Sequence, residues 1–139
     1  MAIKISGDGS ITGISVGGLP DGTVDTDTIA ANAVTEPKLG ADQASGLVKA
    51  WGLFDGSDGS INASFNVSLV TRVSTGLYTV TLDTPMSSPS YVIVANPIHA
   101  AVANAQLTGT SASQFTIAIN NLSTNLDPSY VTFVVLGNQ

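Results

Sequence analysis

Apolar and polar side chains alternate along most of the chain after residue 46, which is typical of β-strands that bury one face. In residues 61–69 the odd positions are apolar and the even positions are Asn or Ser. We therefore expect one strand there, with its odd positions in a core. Residues 77–82 repeat the alternation, with Tyr78, Val80 and Leu82 predicted to point inward.

The segments that flank these runs predict an antiparallel meander over residues 47–82. Residues 47–54 are apolar on both faces apart from Lys49, which predicts a more deeply buried strand. The Asp-Gly and Ser-Asp-Gly signals in residues 55–60 favour a tight hairpin. The Ser-Thr-Gly sequence at residues 74–76 favours another.

The remaining strands are predicted from four further segments. Residues 91–95 are wholly apolar and predict a central strand, which the following Asn-Pro pair is expected to interrupt. Residues 98–107 favour an irregular extended segment. Residues 114–120 alternate again, and residues 130–136 predict a buried strand. Six or seven strands at this spacing predict a mainly β fold, with a jelly-roll-like antiparallel β-sandwich over residues 47–139.

Two shorter regions precede this domain. Residues 1–22 read as two short strands, Ala2 to Ile5 and Ser10 to Val16, which we interpret as an N-terminal anchor. A small strand pair that caps the main domain is the alternative. Residues 23–46 contain a V-[DT]-x-x-x-[IL] frame twice, ten residues apart, and predict a trimerising linker of extended or short-helical form. One amphipathic helix over residues 26–34 is the alternative. The candidate trimer contacts are Val24, Ile29, Val34, Leu39 and Trp51.

Composition favours an oligomer over a monomer. Charged residues make up only 10% of the chain, against about 25% in ordinary soluble proteins. Subunit interfaces are the simplest replacement for charged surface. The formal net charge of −6 and the four basic residues argue against nucleic-acid or anionic-membrane partners. The chain has no cysteine, which excludes disulfides, and we expect no cofactor.

Several motifs of residues 47–94 occur together in an order that resembles phage and prophage tail-fibre proteins. They are A-W-G-L-F-D-G at 50–56, S-F-N-V-S-L-V-T at 64–71, T-G-L-Y-T-V-T-L at 75–82, and T-P-M at 84–86 followed by Y-V-I-V at 91–94. The linker form V-T-x-x-K-L is similar to the shaft linkers of the same family. The resemblance implies a virion structural protein without catalytic residues.

Candidate chemistry is sparse. His99 follows a proline in an apolar segment without a neighbouring acid, which is a poor setting for a nucleophilic triad. The carboxylates lie mostly in predicted turns. Paired acids can cleave glycosides, but the phage spikes that do so usually carry a larger β-helical domain that forms the groove. No segment matches a full calcium loop. We therefore expect neither an enzyme nor a metal site, although a small glycan-cleaving enzyme stays an alternative.

The resemblance implies a short trimeric tail fibre or fibre tip on the virion, made in the host cytoplasm. Its N-terminus would attach to another virion protein of the tail or baseplate, and its C-terminal domain would bind host-surface glycan. A trimeric capsid decoration protein or head fibre is the alternative. Trp51 is either a sugar-stacking platform or a core or interface residue. The candidate receptor-contact residues are Ser87, Ser88, Ser90, Tyr91, Thr110, Ser111, Asn121, Asn125 and Tyr130.

Overall fold

A computed structural model describes residues 4–5, 7, 11–12, 29–31, 33–35, 38–40, 46–99, 103–121 and 123–139. The chain divides into two compact units, Met1–Leu39 and Gly40–Gln139. In the first unit, strands β1 (Lys4–Ile5) and β2 (Ile11–Thr12) pair antiparallel. The predicted N-terminal strand pair is therefore present, although the other residues of the two predicted strands lie outside the described ones.

The second unit is a sandwich of two four-stranded antiparallel sheets, which confirms the predicted fold class. Eight strands form it, rather than six or seven. The order is β4-β3-β10-β7 in the first sheet and β5-β6-β9-β8 in the second. The strands are β3 (Val48–Asp55), β4 (Ile61–Phe65), β5 (Leu69–Ser74), β6 (Leu77–Thr81), β7 (Val92–Ile98), β8 (Asn104–Thr110), β9 (Gln114–Asn120) and β10 (Tyr130–Leu136).

The core lies between the sheets and is built from alternate positions of the central strands. Tyr78, Val80 and Leu82 point inward as predicted, and so do the odd positions 115, 117 and 119 of β9. On β10 the inward positions are 131, 133 and 135. The Phe133 ring contacts the rings of Phe115 and Phe54 edge-on or tilted, at centroid distances of 5.3 and 6.3 Å, which is the preferred geometry of aromatic pairs.

The predicted meander is wrong, because the chain changes sheet in its middle. β3 and β4 pair in the first sheet, whereas β5 and β6 pair in the second. At Asn66 the backbone adopts φ 57°, a left-handed conformation that Asn tolerates better than most residues. The Asn66 side chain holds the bend by donating to the Lys49 carbonyl at 2.9 Å and accepting from the Thr84 amide at 2.6 Å.

This bend also overturns the single inward-facing strand predicted over residues 61–69. β4 is exposed at every position, and β5 begins after the crossing. The deep burial predicted for residues 47–54 is wrong as well. β3 alternates, with Ala50 and Phe54 buried but Val48 and Trp51 exposed.

Strand β7 lies at an edge of the first sheet, although the apolar run predicted a central strand. It also continues through Pro97, which faces Val131 in the ladder. An edge strand tolerates proline because it does not need every backbone donor. Residues 98–107, predicted to be irregular, contribute the end of β7 and the first part of β8.

The strand order differs from that of a jelly roll, in which successive strands alternate between sheets. Here three pairs of consecutive strands do not alternate, because the two strands of each pair are neighbours in the same sheet. β3 and β4 pair in the first sheet, and β5 with β6 and β8 with β9 pair in the second. β10 returns to lie between β3 and β7.

The outer faces of the two sheets differ in chemistry. On the first sheet, one row of cross-strand neighbours crosses all four strands as Phe65, Trp51, Val134 and Val94. We define the apolar face as the outward surface of this sheet, with the exposed side chains Val48, Trp51, Phe65, Val92, Val94, Ile98, Tyr130 and Val134.

On the second sheet, the corresponding row is Thr71, Thr79 and Thr116. The Thr79 and Thr116 hydroxyls lie 3.3 Å apart. Thr81 faces Gln114 in the next row. We call this outward surface the threonine face.

Candidate functional site

The loops of the sandwich lie at two opposite ends. The chain enters β3 at Val48, which faces Leu136 at the end of β10. We call this the proximal end, and it also holds the loop 82–91 and the turn 111–113, joined by bonds from Leu82 to Ser113 and from Met86 to Ala112. The distal end holds the hairpin 55–60, the turn 74–76 and the loop 121–129. Tyr130, at the start of β10, faces Asp55 there.

This arrangement separates the predicted receptor-contact residues into two groups that cannot form one site. The distal group is Asn121, Asn125 and Tyr130. The proximal group is Ser87, Ser88, Ser90, Tyr91, Thr110 and Ser111.

Many polar atoms of the proximal group are occupied by bonds within the domain. The Tyr91 hydroxyl donates to the Ser111 carbonyl at 2.8 Å and lies 3.2 Å from the Gln114 carbonyl. Burial raises the pKa of Tyr91. The Ser87 hydroxyl donates to the Asn138 carbonyl, and the Ser88 hydroxyl accepts from the Ser90 amide. These contacts hold the loop 82–91 against the neighbouring turn and the end of the chain.

The distal end is fixed by a polar cluster around Asp127. Arg72 donates two hydrogen bonds to this carboxylate, from Nε to Oδ1 at 3.1 Å and from Nη2 to Oδ2 at 2.5 Å. The Gly76 amide donates to Oδ1 at 2.8 Å. The Tyr78 hydroxyl lies 2.8 Å from Oδ1 and 2.5 Å from the Gly56 carbonyl oxygen, so its proton is shared between two acceptors. Because Gly56 follows β3 of the first sheet, the cluster ties both sheets to the loop 121–129.

The electrostatics of this Asp127 cluster are those of a structural tie. The Arg72 hydrogen bond is the largest cause that lowers the pKa of Asp127 to about 2, with further help from the Gly76 amide and the Tyr78 hydroxyl against an opposing effect of burial. Burial and then the bond to Asp127 raise the pKa of Tyr78. Both shifts keep Asp127 ionised and Tyr78 neutral around neutral pH. Neither group is therefore poised to exchange a proton in acid–base catalysis.

We predict that this cluster makes the domain acid-sensitive in a defined window. The folded-state pKa of Asp127 lies below its ordinary value of 3.8. The contribution of the Asp127 carboxylate to the free energy of unfolding is therefore complete above 3.8, and it is lost as the pH falls toward 2. Between about pH 5 and pH 2 the free energy of unfolding should fall by about 1 to 2 kcal/mol more in the wild type than in Asp127→Asn, allowing for partial solvent exposure.

Urea unfolding of both proteins across this pH range measures the difference. The asparagine keeps the shape of the side chain but cannot ionise, and every other acid is shared by the two proteins. Equal pH slopes would contradict the assignment of the low pKa to Asp127.

Beside this cluster, the distal end carries a polar depression of about 300 Å³. Its lining offers amide and hydroxyl groups without a formal charge. The loop here is ordered by its own bonds: the Asn121 side-chain oxygen accepts from the Thr124 amide and hydroxyl at 3.2 and 3.0 Å. The side chains that line the depression are Gln106, Asn120, Ser123, Thr124 and Asn125.

Of the predicted residues, only Asn125 lines the distal depression, while Asn121 shapes the loop next to it. Sequence reasoning missed Gln106 and Asn120. The Asn120 side-chain nitrogen donates to the Gln106 side-chain oxygen at 3.3 Å, and the two residues meet only because β8 pairs with β9. It also missed Arg72 and Asp127, whose only signal was their opposite charge. Tyr130 lies on the apolar face, 38% exposed.

The predicted trimer contacts fall in both units. Ile29 and Val34 are exposed and Leu39 is half-buried in the first unit. Val24 lies outside the described residues. Trp51 is 41% exposed on the apolar face, so it is not a core residue of a single chain.

His99 and the acidic side chains are the other groups whose chemistry could serve a site. His99 is exposed just after β7. Within the residues whose positions are described, no three His, Asp or Glu side chains cluster in a way that could hold a metal ion. The same residues contain no helix with the length and hydropathy needed to cross a membrane.

The fold and these surfaces define a mainly β protein with an antiparallel sandwich. No family model, no curated protein and no solved structure matches the chain.

Proposed function

We propose that this chain is a phage virion structural protein, a short trimeric tail fibre or fibre tip that binds host-surface glycan without enzymatic activity. The N-terminal region would attach it to another virion protein of the tail or baseplate. The motif resemblance supports the class, and the β-sandwich is a fold suited to holding binding loops rigidly.

The observation that carries the binding proposal is the polar depression at the distal end, opposite the point where the chain enters the sandwich. A domain held through its N-terminal connection presents this opposite end outward. The side chains of Ser123, Thr124 and Asn125 are exposed there. Uncharged amides and hydroxyls both donate and accept hydrogen bonds, as the hydroxyls of a neutral glycan require.

The Asp127 cluster supports the same proposal by ordering the loop before a ligand arrives. Asp127 lies two residues after Asn125, and its carboxylate is held from two strands and one turn. A pre-ordered loop loses less conformational entropy on binding. Three such sites on one fibre would add avidity, so each site can bind weakly.

Binding to an array of purified bacterial surface polysaccharides tests this proposal. We expect the double variant Ser123→Ala/Asn125→Ala to bind at least about tenfold more weakly than the wild type, since the loss of hydrogen bonds worth about 1.4 kcal/mol has that effect. The control, Ser88→Ala/Ser90→Ala, removes two uncharged polar groups at the proximal end and should bind normally. A loss confined to this control would move the site to the proximal end.

Labelling of the intact particle tests the class of protein. A gold-conjugated antibody against the chain should mark the tail. Signal on the head would favour the capsid decoration protein or head fibre instead. Release of sugar from the array by the purified protein would support a glycan-cleaving enzyme and contradict both.

A further inference from the structure

We propose that the apolar face of the first sheet is the surface through which copies of this chain contact one another. In a trimer, the three first sheets would turn this face toward the common axis. The number of copies rests on the proposed function, whereas the identity of the surface rests on the geometry of the sheet.

Six of the eight members of the apolar face form a continuous surface, whereas Tyr130 and Ile98 are separated from them by a row that contains Thr132 and Asn96. The row Phe65, Trp51, Val134 and Val94 spans the sheet from edge to edge, with exposed fractions of 54%, 41%, 37% and 61%. Next to it, toward the proximal end, Leu136 lies between Val48 and Val92. Single exposed apolar side chains are normal on proteins, but connected rows of them mark interaction surfaces.

The size of the apolar face fits a subunit contact. Its eight side chains are between 37% and 61% exposed. With about 150 Å² for a whole large apolar side chain, they expose on the order of 600 Å². The largest apolar patch of a typical monomer reaches about 300–600 Å². A stable interface uses about 800 Å² from each partner, so this face with its intervening residues supplies most of one contact.

Charge selects a second copy as the occupant. The row Phe65, Trp51, Val134 and Val94 and the row Val48, Leu136 and Val92 contain no charged side chain, whereas the row of Tyr130 and Ile98 at the distal end also holds Asp55. A partner recognised by charge would find nothing to pair with in the first two rows, although the whole chain has a net charge of −6. The molecule that covers this face must itself be apolar and uncharged there. The same face of another copy meets this requirement, and it is always present at the same concentration. Most soluble oligomers are closed, symmetric assemblies of one chain, and three copies can each turn this face toward one threefold axis.

The threonine face of the second sheet sharpens the inference by contrast. The second sheet has four strands, as the first does, and its outward surface likewise lies on the outside of the sandwich. Its central row nevertheless carries the hydroxyls of Thr71, Thr79 and Thr116, which can remain hydrated. The central rows of the two faces therefore differ in how well their side chains can stay hydrated, although Leu69 is also exposed on the threonine face. This difference favours burial of the apolar face over burial of the threonine face.

Native mass measured by light scattering tests the proposal with a matched pair of variants. Val94→Lys places a charge on the apolar face, and Thr71→Lys places the same charge on the threonine face. Both positions are exposed and lie in edge strands. At a concentration where the wild type has three times the mass of one chain, we expect Val94→Lys to have the mass of one chain and Thr71→Lys to match the wild type.

A single-chain mass for the wild type would overturn the proposal, and so would a wild-type mass for Val94→Lys or dissociation of both variants. A wild-type dimer that only Val94→Lys dissociates would keep the surface and overturn the threefold count. Circular dichroism of both variants shows whether either has simply unfolded.

A second measurement avoids added charge. The chain contains no cysteine, so Val94→Cys and Thr71→Cys each introduce one thiol. In the native assembly we expect a maleimide reagent to label Val94→Cys at least about tenfold more slowly than Thr71→Cys, and equally fast after denaturation. Equal native rates would overturn the proposal. Neither measurement involves glycan or the particle, so failure of the proposed function and failure of this inference are separable.

Discussion

Replacing Gly76 with alanine is expected to lower the free energy of unfolding by about 3 kcal/mol or more. Gly76 has φ +67°, and a Cβ atom built there would lie 2.4 Å from the Ile119 carbonyl oxygen and 2.8 Å from the Leu126 amide nitrogen. Both neighbours are backbone atoms, so neither can rotate away. The Gly76 carbonyl also accepts from the Ile119 amide, which ties the turn to β9.

The loss should extend to the Asp127 cluster, because the Gly76 amide donates to that carboxylate. Any shift that relieves the clash moves this donor. Gly109→Ala is the matched control, since a Cβ there would meet nothing within 4 Å, and its effect should stay within about 0.5 kcal/mol. Urea unfolding at one fixed protein concentration compares the three proteins, because self-association alters apparent stability. A Gly76→Ala protein as stable as the Gly109→Ala protein would show that the turn can move freely.

Phe133→Ala is expected to lower the free energy of unfolding by about 3–5 kcal/mol. Phe133 is 2% exposed and lies on the central strand β10, against the rings of Phe54 and Phe115. Gly52 on the neighbouring strand leaves the space that the ring fills: a Cβ there would lie 2.6 Å from the Phe133 ring. Truncation would therefore open a cavity bounded on one side by a residue without a side chain.

The same unfolding measurement, with two further variants, tests this value. Leu69→Ala removes a large apolar side chain that is 55% exposed on the second sheet and should cost less than about 1 kcal/mol. Phe133→Leu retains most of the volume and should fall between the two. If Phe133→Ala does not fold, the comparison of Phe133→Leu with Leu69→Ala still tests the role of the ring. A Phe133→Leu protein that loses less stability than Leu69→Ala would contradict that role.

The sequence predicted the sandwich because its buried strands carry their own alternation. Tyr78 and Val80, or the inward positions of β9, need no knowledge of partners to be recognised. The alternation failed at Asn66, because apolar residues continue on both sides of a bend that only the backbone conformation and long-range bonds to residues 49 and 84 create. It also failed for β7, because a wholly apolar run is typical of a central strand that is buried on both faces, and the run itself does not show how many strands pair with it.

The candidate site was less predictable than the fold, because its members meet only through tertiary pairing. Arg72 and Asp127 are 55 residues apart, and each looks like an ordinary surface charge in the sequence. Gln106 reaches Asn120 only because β8 pairs with β9 in a particular register. The Asn and Ser content of the loop 121–129 suggested hydrogen bonding, but it did not show which end of the sandwich the loop occupies.

Of the eight sandwich strands, β10 leaves the ribosome last, yet it lies between β3 and β7. All four strands of the second sheet are synthesised earlier and can pair first, whereas β3 and β7 must wait for their shared partner. Sandwiches with such distant pairings fold in milliseconds to seconds. During that delay two strand edges are unpaired, and these are a known starting point for aggregation. A chain that ends before β10 would keep both edges open permanently, so accumulation of the folded protein should depend on completed translation.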